Sequence, residues 1–203
     1  MSKVQIYGSG QSRAARALWI CHELGIDFEH KVMEMKDTKS PEFLAINPNG
    51  KMPAMVDGDL KLFESMAINS YLAQKHNKDG FWPASLADQA RVTQWSFWGM
   101  TEVEKNLLTI LLDMFMTPAD KKNPKAVEDA QAALNKPLKV LDDSLKGRDY
   151  LLGSNFTLAD LNLASIMSWA KLIRFDLSPY PNVAAWLDRC LGRASFKAAR
   201  GGK

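Results

Sequence analysis

The chain has 203 residues, 46% of them hydrophobic and 24% charged, with a formal net charge of +3. That is ordinary globular composition, long enough for one large domain or two small ones, and it argues against disorder. So small an excess of cations argues against a nucleic-acid binder unless the basic residues cluster, and they do so only mildly, at Arg189, Arg193, Lys197, Arg200 and Lys203. A solvated helix end, where cations are favoured by the helix dipole, accounts for such a run.

Cys21 and Cys190 are the two cysteines, a count typical of reducing compartments rather than of a disulfide framework. The opening segment Met1-Ser2-Lys3-Val4-Gln5-Ile6-Tyr7-Gly8 has no apolar run of signal-peptide length. No stretch approaches the roughly 18 consecutive apolar residues of a transmembrane helix. A cytoplasmic protein without membrane association is expected. His22, His30 and His76 are scattered singly and neither they nor the cysteines have metal-ligand spacing, so no metal is expected.

In chain order, Val4-Gln5-Ile6-Tyr7 alternates like a strand and Gly8-Ser9-Gly10 breaks it. From Ser12 the pattern is helical: Ala14, Leu18, Cys21 and Gly25 share one face, with Gly25 as the C-terminal cap. Phe28, His30 and Val32 alternate with Glu29 and Lys31 as a second strand, and a strand-helix-strand unit implies a parallel pair. A loop follows through Asp37-Thr38-Lys39. Ser40-Pro41-Glu42 starts a short helix, which Asn47-Pro48-Asn49-Gly50 stops. Ala54-Met55-Val56 and Leu60-Lys61-Leu62-Phe63 flank Asp57-Gly58-Asp59, a hairpin signal. Ser65 caps a helix to about Gln74.

Asn77 to Pro83 reads as linker. Beyond it the pattern is helical almost throughout: Asp88 to about Met116, then Val127 to Leu145 with a kink expected at Pro137, then Asp160 to Lys171, and Val183 to Ala199. There is no internal repeat and no low-complexity tract.

Three segments suggest a single site. Asn47-Pro48-Asn49-Gly50-Lys51-Met52-Pro53 is one, Phe63-Glu64-Ser65 at a strand-to-helix junction is another, and Ser12, four residues before Arg16, is the third. Helix starts present unpaired N–H groups and partial positive charge, so both helix starts favour anions.

Over residues 47 to 75 the chain resembles the glutathione-binding region of the cytosolic glutathione transferases. Asn-Pro-Asn-Gly-Lys-Met-Pro, the Val-Asp-Gly-Asp hairpin and Leu-Phe-Glu-Ser-Met-Ala-Ile carry the match. Asn155-Phe156-Thr157-Leu158-Ala159-Asp160 resembles the family's capping box and hydrophobic staple, and Pro181-Asn182-Val183-Ala184-Ala185-Trp186 its entry to the last helix. The serine-type theta and phi classes are the nearest in pattern.

The resemblance implies an α/β plus all-α architecture. Residues 1–78 are expected to form a thioredoxin-like glutathione-binding domain of βαβ-ββα order, residues 79–86 a linker, and residues 87–203 an all-helical bundle forming the electrophile pocket. It implies a homodimer that takes glutathione as co-substrate, binds no cofactor tightly and joins the thiol to small hydrophobic electrophiles. Reduction of organic hydroperoxides would follow from the same thiolate. An isomerase or dehalogenase, or a non-catalytic module of the same fold, remains open, and the turn, Glu64 and Ser65 argue against the module.

Pro53 resembles the family's cis-proline, which would turn the Met52 N–H and C=O towards the cysteinyl part of glutathione. Glu64 and Ser65 resemble the pair that holds the γ-glutamyl end, Lys51 a residue that touches the tripeptide, and Lys39 a base for the glycyl carboxylate. Ser12 resembles the catalytic serine. The thiolate is the nucleophile, and a hydroxyl hydrogen bond with a helix start favours the ionised thiol. As isolated residues, Ser12 and Ser65 would read as helix caps and Lys39 as a solvated lysine. Tyr7, Ser9, Gln11 and backbone amides remain rivals for Ser12. Cys21 falls on an apolar helix face, so exchange through an enzyme cysteine is disfavoured. Trp95, Trp98 and Thr101, with Met100 and Glu102, are the expected electrophile-side residues.

Overall fold

The computed structural model describes residues 3–201; Met1, Ser2, Gly202 and the basic Lys203 lie outside them. The chain divides into two compact units, one holding the chain to Trp82 together with the stretch from Gly192, the other Pro83–Leu191. This differs from the expected division at the C-terminal end. Val183 to Ala199 is not one helix: it breaks at Gly192 and at Arg193, whose backbone is extended (φ −64°, ψ 140°). The last helical turn thereby leaves the helical unit and packs within the first.

In the first unit, β1 (Val4–Tyr7) runs parallel to β2 (Phe28–Lys31), β3 (Ala54–Asp57) pairs antiparallel with β1, and β4 (Leu60–Phe63) antiparallel with β3. The sheet order is β2-β1-β3-β4. The parallel pair needs a crossover, and α1 (Ala14–Leu24) supplies it. Gly25 ends α1 in the left-handed conformation (φ 65°), and the Ile26 N–H reaches back to the Cys21 carbonyl at 2.9 Å.

The expected loop at Asp37–Lys39 is a 3₁₀ turn, Met35–Lys39, and α2 (Pro41–Leu44) follows with the Ser40 hydroxyl accepting from the Phe43 N–H at 3.2 Å. Gly58 (φ 61°) closes the β3–β4 hairpin. Asp57 on that hairpin accepts from the Tyr71 hydroxyl at 2.8 Å and from the Lys75 ammonium, both on α3 (Ser65–Lys75). The terminal helix α9 (Ala194–Ala199) lies on α1. Seven α1 residues, Arg16 among them, are buried because α1 meets β1, α3 and α9 at once.

In the second unit, α4 (Leu86–Trp98) continues through a π-helical stretch, Gly99–Glu104, into α5 (Lys105–Phe115). The long helical stretch expected there is one path with a widened turn. Helix α6 (Pro124–Leu145) runs unbroken through the buried Pro137. Helix α7 (Leu158–Leu172) is buried continuously from Leu158 to Met167, and α8 (Pro181–Leu191) packs on it. Gly99 allows the π stretch to reach α7: a Cβ there would stand 2.8 Å from Leu163 and 2.9 Å from Ile166. Among the described residues, no helix is long and apolar enough to cross a membrane.

The capping box read at Thr157 is present and larger than expected. Asp160 accepts from the Thr157 N–H (3.0 Å) and hydroxyl (3.1 Å), the Leu151 N–H (2.8 Å) and the Trp186 indole N–H (2.9 Å). Burial pushes this carboxyl above its ordinary range, and those donors pull it the other way. Asp160→Ala would strand buried donors on α8, at Leu151 in the loop before α7 and at Thr157, the cap residue of α7. It should therefore cost about 3 kcal/mol or more of unfolding free energy, read as a lower urea midpoint at constant slope. A loss under about 1 kcal/mol would place Asp160 among ordinary surface substitutions.

Acid stability gives a second test. The hydrogen bond from Lys75, with that from Tyr71, holds the Asp57 carboxyl below its usual range against the opposing effect of burial. A carboxyl depressed by folding stabilises above its unfolded pKa and loses that contribution as pH falls through the depressed value. Asp57→Asn should flatten the decline of melting temperature below about pH 5. An unchanged acid limb would show the clip to be without effect.

Candidate functional site

The loop between β1 and α1 is held at its first residue. The Gly8 N–H donates to the Lys31 carbonyl at 3.0 Å, and His30 Nε2 lies 2.8 Å from the Gly8 carbonyl. A carbonyl only accepts, so Nε2 carries a proton. Gly8 has φ 144°, and a Cβ on it would stand 2.5 Å from Ala14 Cβ, 3.3 Å from Met52 Cβ and 3.5 Å from Ser12 Oγ. No other residue fits there. The same distances bring Ser12 and Met52 around one point.

Ser12 lies two residues before α1, not within it. Its hydroxyl donates to the Ser9 carbonyl at 2.8 Å and accepts from the Ala14 N–H at 3.1 Å. Ser9 Oγ accepts from the Gln11 N–H at 3.1 Å. Tyr7 is committed elsewhere: its hydroxyl donates to Gln5 Oε1 at 2.8 Å and its ring lies against Phe43. Cys21 is fully buried, and burial pushes its thiol up to about 12. Such a thiol is not a nucleophile at neutral pH.

The Met52–Pro53 peptide bond is cis. The buried Asn47 shapes the turn before it. Its amide donates to the Lys51 carbonyl at 2.6 Å, its side-chain oxygen accepts from the Asn49 N–H at 3.1 Å, and its carbonyl accepts from the Gly50 N–H at 2.9 Å. Gly50 (φ 57°) lets the turn pass beneath Lys39: a Cβ there would lie 2.9 Å from Lys39 Nζ and 2.9 Å from the Thr38 carbonyl oxygen. Lys39 and Lys51 thus flank one glycine.

Glu64 takes φ 71°, a left-handed backbone rare for a side chain of its length, and Ser65 becomes the first residue of α3. The expectation that Ser65 caps this helix is corrected: Glu64 holds the cap position, and no side-chain bond caps the end. The Ser65 hydroxyl accepts instead from Arg16 Nη1 at 3.3 Å. Ser65 is 3% and Arg16 2% exposed, so a buried guanidinium underlies the start of α3, where first-turn N–H groups have no intrahelical partner.

The first unit therefore brings Ser12 and Met52 together around Gly8, with the cis Pro53 next in the chain, Lys39 and Lys51 around Gly50, and Glu64 and Ser65 at the start of α3. In the second unit, Trp95 and Trp98 meet edge-to-face with centroids 5.1 Å apart, and the exposed Thr101 bonds back to the Phe97 carbonyl at 3.1 Å. Among the described residues no group of three or more His, Cys, Asp or Glu could hold a metal. The sequence marks Gly8 only as a strand break, His30 only as a strand residue, Asn47 only as the head of the site turn and Arg16 only as a landmark, and gives none of them the hydrogen bonds they make. The Asn-Pro-Asn-Gly run was the one available signal for Asn47; a lone histidine on the neighbouring strand gave none.

Residues 2–74 match the family model "Glutathione S-transferase, N-terminal domain" and residues 105–194 the model "Glutathione S-transferase, C-terminal domain". A probable glutathione S-transferase of Oryza sativa subsp. japonica is 32% identical over 97% of this chain and 95% of its own length. Glutathione S-transferase T1 of Arabidopsis thaliana is 36% identical over 93% of this chain and 83% of its own. The solved theta class glutathione S-transferase from Xanthomonas axonopodis pv. citri, with glutathione bound, superposes with a TM-score of 0.90 at 25% identity, over 100% of this chain and 99% of that one. With both domain models matched in order and relatives aligned nearly end to end, the chain belongs to the glutathione S-transferase family.

Proposed function

We propose that Ser12 is the group that stabilises the glutathione thiolate, and that the turn Lys51–Pro53 with the Glu64–Ser65 helix start holds the tripeptide. The observation that carries this reading is the convergence at Gly8, where the Ser12 hydroxyl and Met52 approach the same point. The enzyme joins glutathione through its sulfur to small hydrophobic electrophiles, a new carbon–sulfur bond replacing the bond to any leaving group, with reduction of hydroperoxides by two glutathiones, which leave as the disulfide, as a side activity of the same thiolate.

Each role follows from its chemistry. The γ-glutamyl carboxylate lies at the start of α3, taking the Ser65 hydroxyl and first-turn N–H groups, with the buried Arg16 adding positive charge beneath. Glu64 takes the amine. Met52 pairs its backbone with the cysteinyl residue, and Lys39 and Lys51 meet the glycyl end. The sulfur then falls near Ser12. Without sulfur the Ser12 proton points to the Ser9 carbonyl. Rotation of that hydroxyl exchanges a neutral acceptor for a thiolate, a charge-assisted bond of roughly twice the strength. Positioning and thiolate stabilisation then leave glutathione as the nucleophile. Trp95, Trp98 and Thr101 are assigned to the electrophile side. A cytoplasmic homodimer, binding no nucleic acid and no membrane, completes the reading on the family's pattern.

Ser12→Ala should raise the pKa of bound glutathione by roughly one to two units, from a charge-assisted bond of about 1.5–3 kcal/mol. Titration of the thiolate absorbance measures it. If the bound thiol ionises at the same pH in both proteins, Ser12 is only a turn residue, and Tyr7→Phe, Ser9 and the backbone amides become the objects of the same titration. Ser65→Ala should instead weaken glutathione binding by about 1.5–3 kcal/mol, read by calorimetry. Unchanged affinity in the folded variant would remove Ser65 from the site.

A further inference from the structure

Glu23, near the end of α1, is the hub of a charged cluster outside the site just described. Its carboxylate takes the Arg193 guanidinium two-pronged, Nε at 3.0 Å on one oxygen and Nη2 on the other, and it also takes the Ser195 hydroxyl. Ser195 accepts in turn from the Trp19 indole N–H at 3.1 Å, and the Phe196 ring stands edge-on to Trp19 at 4.8 Å. The Glu23 side chain is only 10% exposed while Arg193 keeps 34%, so the carboxylate end of the pair is shielded in a way that surface ion pairs are not.

The other end of α9 reaches the loop that carries Ser12. A Cβ on Gly10 would stand 3.5 Å from the Ala199 carbonyl oxygen. Arg193 and Ser195 meet Glu23 at one end of α1, Ser195 and Phe196 meet Trp19 midway, and Ala199 meets Gly10 before the other end. Helix α9 therefore runs antiparallel along α1, from the charged hub to the serine loop. That loop is bounded by Met52 at Gly8 and by α9 at Gly10.

We propose that α9 is a positioning clamp for the reaction: the Glu23–Arg193–Ser195 cluster fixes α9, and Ala199 against Gly10 sets the distance of the Ser12 hydroxyl from the glutathione sulfur. Arg193 is a positioning residue that touches no substrate. The proposal rests on the reading of Ser12 given above. Its physical basis is that a hydroxyl–thiolate bond weakens steeply with distance and angle, whereas tripeptide binding is spread over contacts remote from Gly10.

The test uses the full chain with Arg193→Ala, Arg193→Lys and Gly10→Leu, the last crowding Ala199 while leaving the hub intact. Three quantities are read: the pH at which bound glutathione ionises, kcat and KM for glutathione with an aryl halide, and amide exchange over residues 9–14. Arg193→Ala and Gly10→Leu should both raise the ionisation pH, lower kcat on the order of tenfold with KM nearly unchanged, and speed exchange in the loop; Arg193→Lys should recover part of each. A folded Arg193→Ala with a lower melting temperature but unaltered ionisation, kcat and loop exchange would reduce the cluster to a structural tie and overturn the proposal. If Arg193→Ala does not fold, Gly10→Leu decides by the same criterion. Ser12→Ala, run in parallel, separates the two readings: no shift there removes the Ser12 assignment, and loop exchange in the clamp variants still decides whether α9 holds the loop.

Discussion

The site depends on the missing side chain at position 8. Where β1 ends, the chain must turn towards α1 while passing close to the turn that precedes β3, and a Cβ at Gly8 would lie 2.5 Å from Ala14. The β1–β3 pairing fixes one side of this approach and the parallel β1–β2 pairing the other. Lys31 and His30 then hold both polar backbone groups of Gly8. Ser12 has its place because a four-stranded sheet leaves its loop only one path.

Charge follows from the same geometry. At the start of α1 the Ala14, Ala15 and Arg16 N–H groups are already taken by Ser12 and Arg13, whereas the β4 strand ends at the start of α3, whose first-turn N–H groups have no intrahelical partner and favour an anion. Arg16 joins them: it belongs to α1 but reaches Ser65 on α3. A guanidinium 2% exposed is costly to bury. Its hydrogen bond to Ser65 ties α1 to the first residue of α3, so the α1–α3 contact fixes the helix start at which the proposed tripeptide site ends.

Much of this was legible in the sequence, because local chemistry and tertiary demand agree at those positions. Val4-Gln5-Ile6-Tyr7, Ser40-Pro41, Asp57-Gly58 and Thr157-Leu-Ala-Asp160 each fold as their spacing indicates. The failures lie where a contact distant in sequence overrides the local signal. Ser65 has the composition of a cap, but Arg16, 49 residues earlier, takes its hydroxyl and Glu64 moves into the cap position. Asp160 has the spacing of a two-bond box and receives two further donors, one from Trp186. The helical pattern from Val183 to Ala199 conceals a break, because the apolar residues on either side of Gly192 serve different cores. Cys190 is buried in the helical unit and Ala199 in the first.

That break shows why helical periodicity alone misassigns the end of the chain. Helix α8 obtains its stability from α6 and α7, while α9 has too few residues to persist on its own. What holds α9 is supplied by α1: an acid at Glu23, an indole N–H at Trp19 and an apolar face between them. Read in isolation, Glu23 and Arg193 are two ordinary surface charges 170 residues apart. Once the chain returns, they become a pair with a shielded carboxylate, at the far end of the helix that begins beside Ser12. The sheet therefore fixes the serine loop from the Gly8 side, and the C-terminal turn covers it at Gly10 only after the whole helical unit has been traversed.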